Sequence, residues 1–251
     1  MMMYKMSTTI GIYKKMKTRQ GMDKFFYILS MLLLSLLIPL VILLFSLEMN
    51  STDEAFYRNF QVENKINEEI GKSQEELDLI SKDLISYLKY GENSYLEAHF
   101  NQREVSHMED VFALFELARR VRNIWLTVIV LILVLANYKY FLNDLLYSSL
   151  KLMALLVVVY VGIGIFLSLN FDEYFIKFHE LFFDNDLWLL DPKTDMMINI
   201  LPIEFFILMA RRIFTRAIAG LLLVCGLIFA NEKYFRSKRK GCLECSIQEA
   251  Q

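Results

Sequence analysis

Cysteine, proline and glycine are all scarce in this chain, and each shortage excludes something. Three cysteines occur in 251 residues: Cys225 inside an apolar run, and Cys242 and Cys245 as one C-x-x-C near the C-terminus. A zinc site needs a second ligand pair, which that tail does not offer. No cysteine remains to cross-link the polar segments or to serve there as a nucleophile. With nine glycines and three prolines there is no low-complexity linker, no repeat and no glycine-rich phosphate loop. A G-x-S-x-G turn is missing. So is any H-x-x-x-H or H-E-x-x-H pair, which would put two metal ligands on one helix face.

Hydrocarbon is what the chain has in excess. Hydrophobic residues make up 55%, with 20 Phe and a mean hydropathy of +0.35. Phe25–Leu47 has no charge over 23 residues and Leu152–Leu169 none over 18. A hydrocarbon core about 30 Å thick takes about 20 apolar residues in a helix, so both runs read as spans. Ile124–Leu142 and Ile213–Ala230 are weaker runs, interrupted only near one end. The fold class expected is an all-α membrane protein: four transmembrane helices under a mainly helical extracytoplasmic cap made by two outer loops. The boundaries read as a cytoplasmic arm 1–24, span one 25–47, cap loop 48–122, span two 123–142, cytoplasmic loop 143–151, span three 152–169, outer loop 170–212, span four 213–230 and cytoplasmic tail 231–251. Span one is too long for a cleaved signal and lacks a small-x-small site, so it reads as a signal anchor. Pro39 within it predicts a kink.

Charge sets the expected orientation. With the N-terminus inside, the cytoplasmic segments hold 13 basic and 5 acidic residues, and the remainder holds 14 basic and 24 acidic ones. Short flanking segments rich in Lys and Arg stay inside, which places both termini in the cytoplasm and the polar mass outside.

Helical signals fill the outer segments. Ser73-Gln74-Glu75-Glu76 is a capping box opening a helix to about Tyr90, with Leu77, Ile80, Leu84, Ile85 and Leu88 as its buried stripe and Gly91 as its stop. Ser106-His107-Met108-Glu109 reads as a second box, with Ser106 as N-cap and His107 at the first helical position. The helix dipole there disfavours protonation, and Asp110 opposes that. The amphipathic helix that follows ends in Arg119, Arg120 and Arg122 and is expected to lie along the interface. Phe171, Tyr174, Phe175, Phe178 and Phe182 recur at helical spacing, with His179 beside them. Asp184-Asn185-Asp186 ends that helix. Trp188 suits an interfacial anchor, Asp191-Pro192 resembles an N-cap with proline after it, and Pro202 opens the last helix. His99 lies in an irregular stretch.

Ser106-His107-Met108-x-Asp110-Val111, Phe178-His179-x-x-Phe182-Phe183, Trp188-x-Leu190-Asp191-Pro192-x-Thr194-Asp195 and Pro202-x-x-Phe205-Phe206 together resemble the bacterial lipoprotein intramolecular transacylase family. The resemblance runs from span one to span four. It implies an acyltransferase that moves the sn-2 acyl chain of a diacylglyceryl-cysteine lipoprotein onto that lipoprotein's own N-terminal amine, leaving a lyso-form lipoprotein. The family's two histidines match His107 and His179. The partners implied are diacylglyceryl lipoproteins and membrane lipids, with no cofactor, no metal and no nucleic acid, and the active site lies at the outer face.

The residues suit that chemistry. An amine attacking an ester must lose a proton, and neutral histidine is the usual base near pH 7. We take His179 as the base and His107 as the orienting or oxyanion partner, with the reverse assignment open. Asp110, Trp188, Asp191, Asp195 and Arg216 are expected to bind substrate or support the histidines. A non-catalytic membrane assembly or regulatory protein is the alternative, and a metal-dependent membrane hydrolase ranks last.

Overall fold

The computed structural model describes residues 21–139 and 141–248. Most of the expected N-terminal arm therefore lies outside the described residues. The rest forms helices α1 (Gly21–Ser51), α2 (Glu54–Glu63), α3 (Ile66–Ile70), α4 (Gln74–Tyr90), α5 (Ser94–Glu97), α6 (Gln102–Tyr138), α7 (Leu142–Leu169), α8 (Phe171–Phe182), α9 (Met196–Ile200) and α10 (Ile203–Gln248). No strand occurs among the described residues.

Four helices are long and apolar enough to cross a membrane, as the apolar runs predict: α1, α6, α7 and α10. A helix satisfies its own backbone, the condition for lying in hydrocarbon. α1 is central and packs on the other three. Leu34, Leu37, Val41, Ile129, Ile132 and Leu145 bury one seam between α1, α6 and α7. Met153 and Leu221 bury another between α7 and α10. A Cβ on Gly220 would stand 3.0 Å from the Ile42 side chain, so α1 and α10 cross closely there. Leu36, Val130, Leu131, Val158 and Leu223 face outward, as lipid-facing residues do. α1 runs through Pro39 as one helix.

The remaining helices gather at one end of this bundle as a cap with its own core. Phe56, Tyr57 and Phe60 of α2, the α4 stripe, Met108 of α6 and Phe205 of α10 meet there. α4 follows the sequence signals closely. Ser73 and Glu76 form the reciprocal capping box, and Leu77, Ile80, Leu84, Ile85 and Leu88 are all buried. Full burial of such side chains stabilises by about 1.5–3 kcal/mol each. Gly91 ends α4 at φ +74°, and a Cβ there would strike the Phe112 ring at 2.5 Å, so both backbone and space demand glycine.

The cap is braced to the bundle at the top of α1. Glu48 accepts from Arg119 at 2.9 Å and from Arg122. Asp53 accepts from Arg212 at 2.8 Å and from Arg216 at 3.4 Å.

Three local expectations are corrected. Ser106 does not cap a helix: α6 begins five residues earlier, where Asn101 and Glu104 form the capping box. Nor does the amphipathic segment lie as a separate helix along the interface. It continues without a break into span two, so α6 is one helix of 37 residues, about 55 Å long. Its charged first part, Gln102 to Arg122, stands beyond the apolar run. The third correction concerns Asp191-Pro192. These residues form a single turn, with Asp191 Oδ1 accepting the Lys193 amide at 3.0 Å and the Asp191 carbonyl accepting that of Asp195 at 2.8 Å. The following helix, α9, has Asp195 at its N-cap position.

Candidate active site

His107 lies in the second turn of α6 and His179 in the last turn of α8. Their ring centroids are 6.0 Å apart, and both are buried, at 8% and 7% exposure. Asn170 between α7 and α8 takes φ −141°, ψ 56°. That break turns α8 off span three and sends its inner edge, Phe175 and His179, against α6 and α10. Phe175 packs on Phe206 of α10 at 5.0 Å. Phe183 closes the other side, with its ring 5.5 Å from both imidazoles.

Trp188 lies over His179, centroids 4.9 Å apart and planes within 29°. It is a wall of the site. Around these rings is a cavity of about 140 Å³, lined by the two histidines, Phe175, Trp188, Met197 and Phe206 among others.

The protonation states follow from surroundings. Burial, then the neighbouring His179, pulls His107 down to about 4, against the pull of Asp110. The sequence pointed to a neutral His107 through the helix dipole, but its second-turn position makes burial the cause. His179 is lowered by burial too, opposed by its bond to the Phe175 carbonyl. Both rings are therefore neutral near pH 7. His179 Nδ1 lies 2.7 Å from the Phe175 carbonyl oxygen. A carbonyl only accepts, so Nδ1 carries the hydrogen and Nε2 keeps a free lone pair. His107 Nδ1 is fully buried and has no hydrogen-bond partner.

The loop between α8 and α9 is held by the start of α6. Arg103 donates to the carbonyls of Asp186 and Leu189 at 2.7 and 2.9 Å. Asn185 donates to Asp110 at 2.8 Å. Asp195 accepts from the Asp191 amide at 2.7 Å and from Asn101 at 2.8 Å. Burial alone would raise the Asp195 carboxyl, but these bonds and nearby Arg103 hold it low. Glu104, buried, takes the Asn101 amide at 2.8 Å and the Met197 amide at 2.6 Å.

The structure thus gathers His107, His179 and Trp188 at one cavity, with Asp110, Asp191 and Asp195 in the frame behind it. Arg216 is not part of this group. It sits about three turns along α10 from Phe206 and pairs with Asp53. His99 binds Asp83 elsewhere at 2.8 Å. Asn101, Arg103 and Glu104 went unread in the sequence, although Asn101-x-x-Glu104 is itself a capping-box pattern. Among the described residues, no three His, Cys, Asp or Glu side chains are grouped to hold a metal.

Four apolar helices long enough to span a membrane, with two buried histidines together at an apolar cavity, define the class: an all-helical, multi-span membrane enzyme. The chain is a member of the lipoprotein intramolecular transacylase Lit family, whose sequence profile matches residues 32–206. Its fold is that of the membrane integral lipoprotein intramolecular transacylase Lit from Bacillus cereus: TM-score 0.73 at 21% identity, covering 88% of this chain and 99% of that one. A variant of that protein with one histidine replaced by alanine matches at TM-score 0.71 and 20% identity, covering 87% and 97%. No curated protein matches the sequence.

Proposed function

We propose that His107 and His179 carry the intramolecular transacylation of this family, acting on a diacylglyceryl-cysteine lipoprotein at the outer face of the membrane. The observation that carries the reading is the pair of neutral imidazoles 6.0 Å apart at an apolar cavity. Two rings so close together at one cavity can both act on the same reacting group.

In this mechanism the lipoprotein's α-amine attacks the sn-2 ester carbonyl, and an N–C bond forms. His179 Nε2 takes the amine proton. A ring N–H of His107 donates to the oxyanion of the tetrahedral intermediate, the service that hydrogen-bond donors give in acyl transfer. The C–O bond to glycerol then breaks, and His179 returns the proton to the leaving oxygen. Amine and ester belong to one molecule, so positioning supplies much of the rate and no acyl-enzyme is required. Trp188 and Phe175 keep the His179 ring in place and water out. Asp110, Asp191 and Asp195 act through the loop they hold.

Expression in a host that makes only diacylglyceryl lipoproteins, followed by fragmentation of their N-terminal peptides, tests this. The expected product has unchanged mass, a fatty amide on the cysteine and one remaining glycerol ester. His107→Ala and His179→Ala are expected to leave the diacylglyceryl form unconverted. A gain of one acyl mass, or full conversion by either variant, would overturn the assignment.

A further inference from the structure

The apolar arc of α8 is wider than the part of it that is packed. Phe175 and His179 turn inward to the cavity. Along the neighbouring edge, Phe178, Leu181 and Phe182 remain 42%, 77% and 50% exposed. This edge is continuous with the membrane bundle. Phe166 of α7 meets Tyr174 at 5.0 Å, Tyr174 and Phe178 follow at helical spacing, and Phe178 meets Phe182 at 4.8 Å and His179 at 5.4 Å. An aromatic strip therefore runs from span three to the histidine pair. The cavity itself, about 140 Å³, is well below the roughly 300–1,000 Å³ of pockets that enclose a whole small ligand. It has room for an ester and an amine, not for the hydrocarbon attached to them.

We propose that the strip Phe166–Tyr174–Phe178–Leu181–Phe182 is the seat of the migrating acyl chain. It guides the chain from the bilayer to His179 and makes the enzyme selective for long sn-2 chains. This rests on the transacylase reading above. The strip lies against His179, which that reading makes the base, so a chain whose carbonyl sits there leaves the cavity along Phe178. The opposite face of α8 is the more polar one, with Asp172, Glu173 and Glu180 around a single exposed Ile176.

The test uses synthetic lipopeptides with a constant sn-1 palmitoyl chain and either palmitoyl or acetyl at sn-2, assayed with the whole protein in proteoliposomes. The shared sn-1 chain holds membrane partitioning nearly constant. Wild type is expected to favour palmitoyl in kcat/KM. The double variant Phe178→Ser, Leu181→Ser is expected to lower the palmitoyl-to-acetyl ratio by about tenfold, equivalent to 1.4 kcal/mol, while acetyl transfer persists. Phe178→Leu with Leu181→Met should keep the ratio, and so should Leu79→Ser, an exposed apolar position on α4. An unchanged ratio in the serine variant sinks the proposal. So does an equal loss on both substrates, which would mark a general effect on folding or membrane contact. Absence of N-acylated product with wild-type protein on either substrate would instead bring down the transacylase reading itself.

Discussion

Trp188 lies nearly parallel to His179 at 4.9 Å, and the same histidine gives its Nδ1 hydrogen to Phe175 at 2.7 Å. One contact fixes the ring's plane and the other its tautomer, so the Nε2 lone pair has a set direction before any substrate arrives. Trp188→Ala is expected to lower kcat at least tenfold, because a base displaced by even an ångström loses much of its effect. Trp188→Phe should retain most of the activity, since a smaller ring can still stack. Equal, near-wild-type turnover for both would show that the indole does not position the base.

The pH dependence follows from the two depressed histidines. A base works only unprotonated, so the acid limb of the rate profile should fall below the ordinary histidine value of about 6.5. Stability has the same sign. Between pH 6.5 and 4 the unfolded chain binds a proton at residue 107 that the folded protein, with His107 at about 4, does not. Stability is therefore full above 6.5 and declines as pH falls towards 4. His107→Gln should flatten the pH dependence of Tm in that window. A variant as acid-sensitive as wild type would contradict this origin.

Glu104 closes the frame behind the site, with two backbone amides on one buried carboxylate. Removing an acceptor from a buried donor costs about 1–3 kcal/mol. Glu104→Ala is expected to lower Tm clearly and to reduce turnover, because the α8–α9 loop carries Trp188. Glu104→Gln, which keeps an acceptor oxygen, should do less of both. Loss of Tm with kcat untouched would separate the loop latch from catalysis.

Arg216 and Asp53 brace the cap, away from the histidines. Arg216→Ala should leave kcat within about threefold of wild type and lower stability by no more than about 1 kcal/mol, the range of partly exposed ion pairs. A large selective loss of turnover would return Arg216 to the reaction.

Orientation is tested by labelling. In protein lacking its native cysteines, Glu92→Cys on the cap should react with an impermeant thiol reagent in intact cells, and Ser237→Cys near the C-terminus should not. The reverse pattern would invert the proposed topology. Glu92 is chosen over its neighbour because Gly91 admits no side chain.

The parts legible in the sequence are those set by local chemistry. Uncharged runs such as Phe25–Leu47 become helical spans because a helix satisfies all its backbone groups within the one segment. Ser73 with Glu76 starts α4 and Gly91 stops it, each through bonds or dihedrals within a few residues. The motifs around His107 and His179 mark the two histidines that the fold brings to one cavity, and the spacing of Phe171 to Phe182 gives α8. Tertiary structure decided what depends on a distant partner. Two capping-box patterns compete for the start of α6, Asn101-x-x-Glu104 and Ser106-x-x-Glu109. The first prevails, with Glu104 also receiving the Met197 amide and Asn101 also holding Asp195. That choice moves His107 from a helix end to a buried second turn and changes the cause of its neutrality from dipole to burial. Arg216 pairs with Asp53 and not with the cavity for the same kind of reason: the helix pattern supplies a cation near a span end, and only the packing of α10 on α1 says which acid it meets.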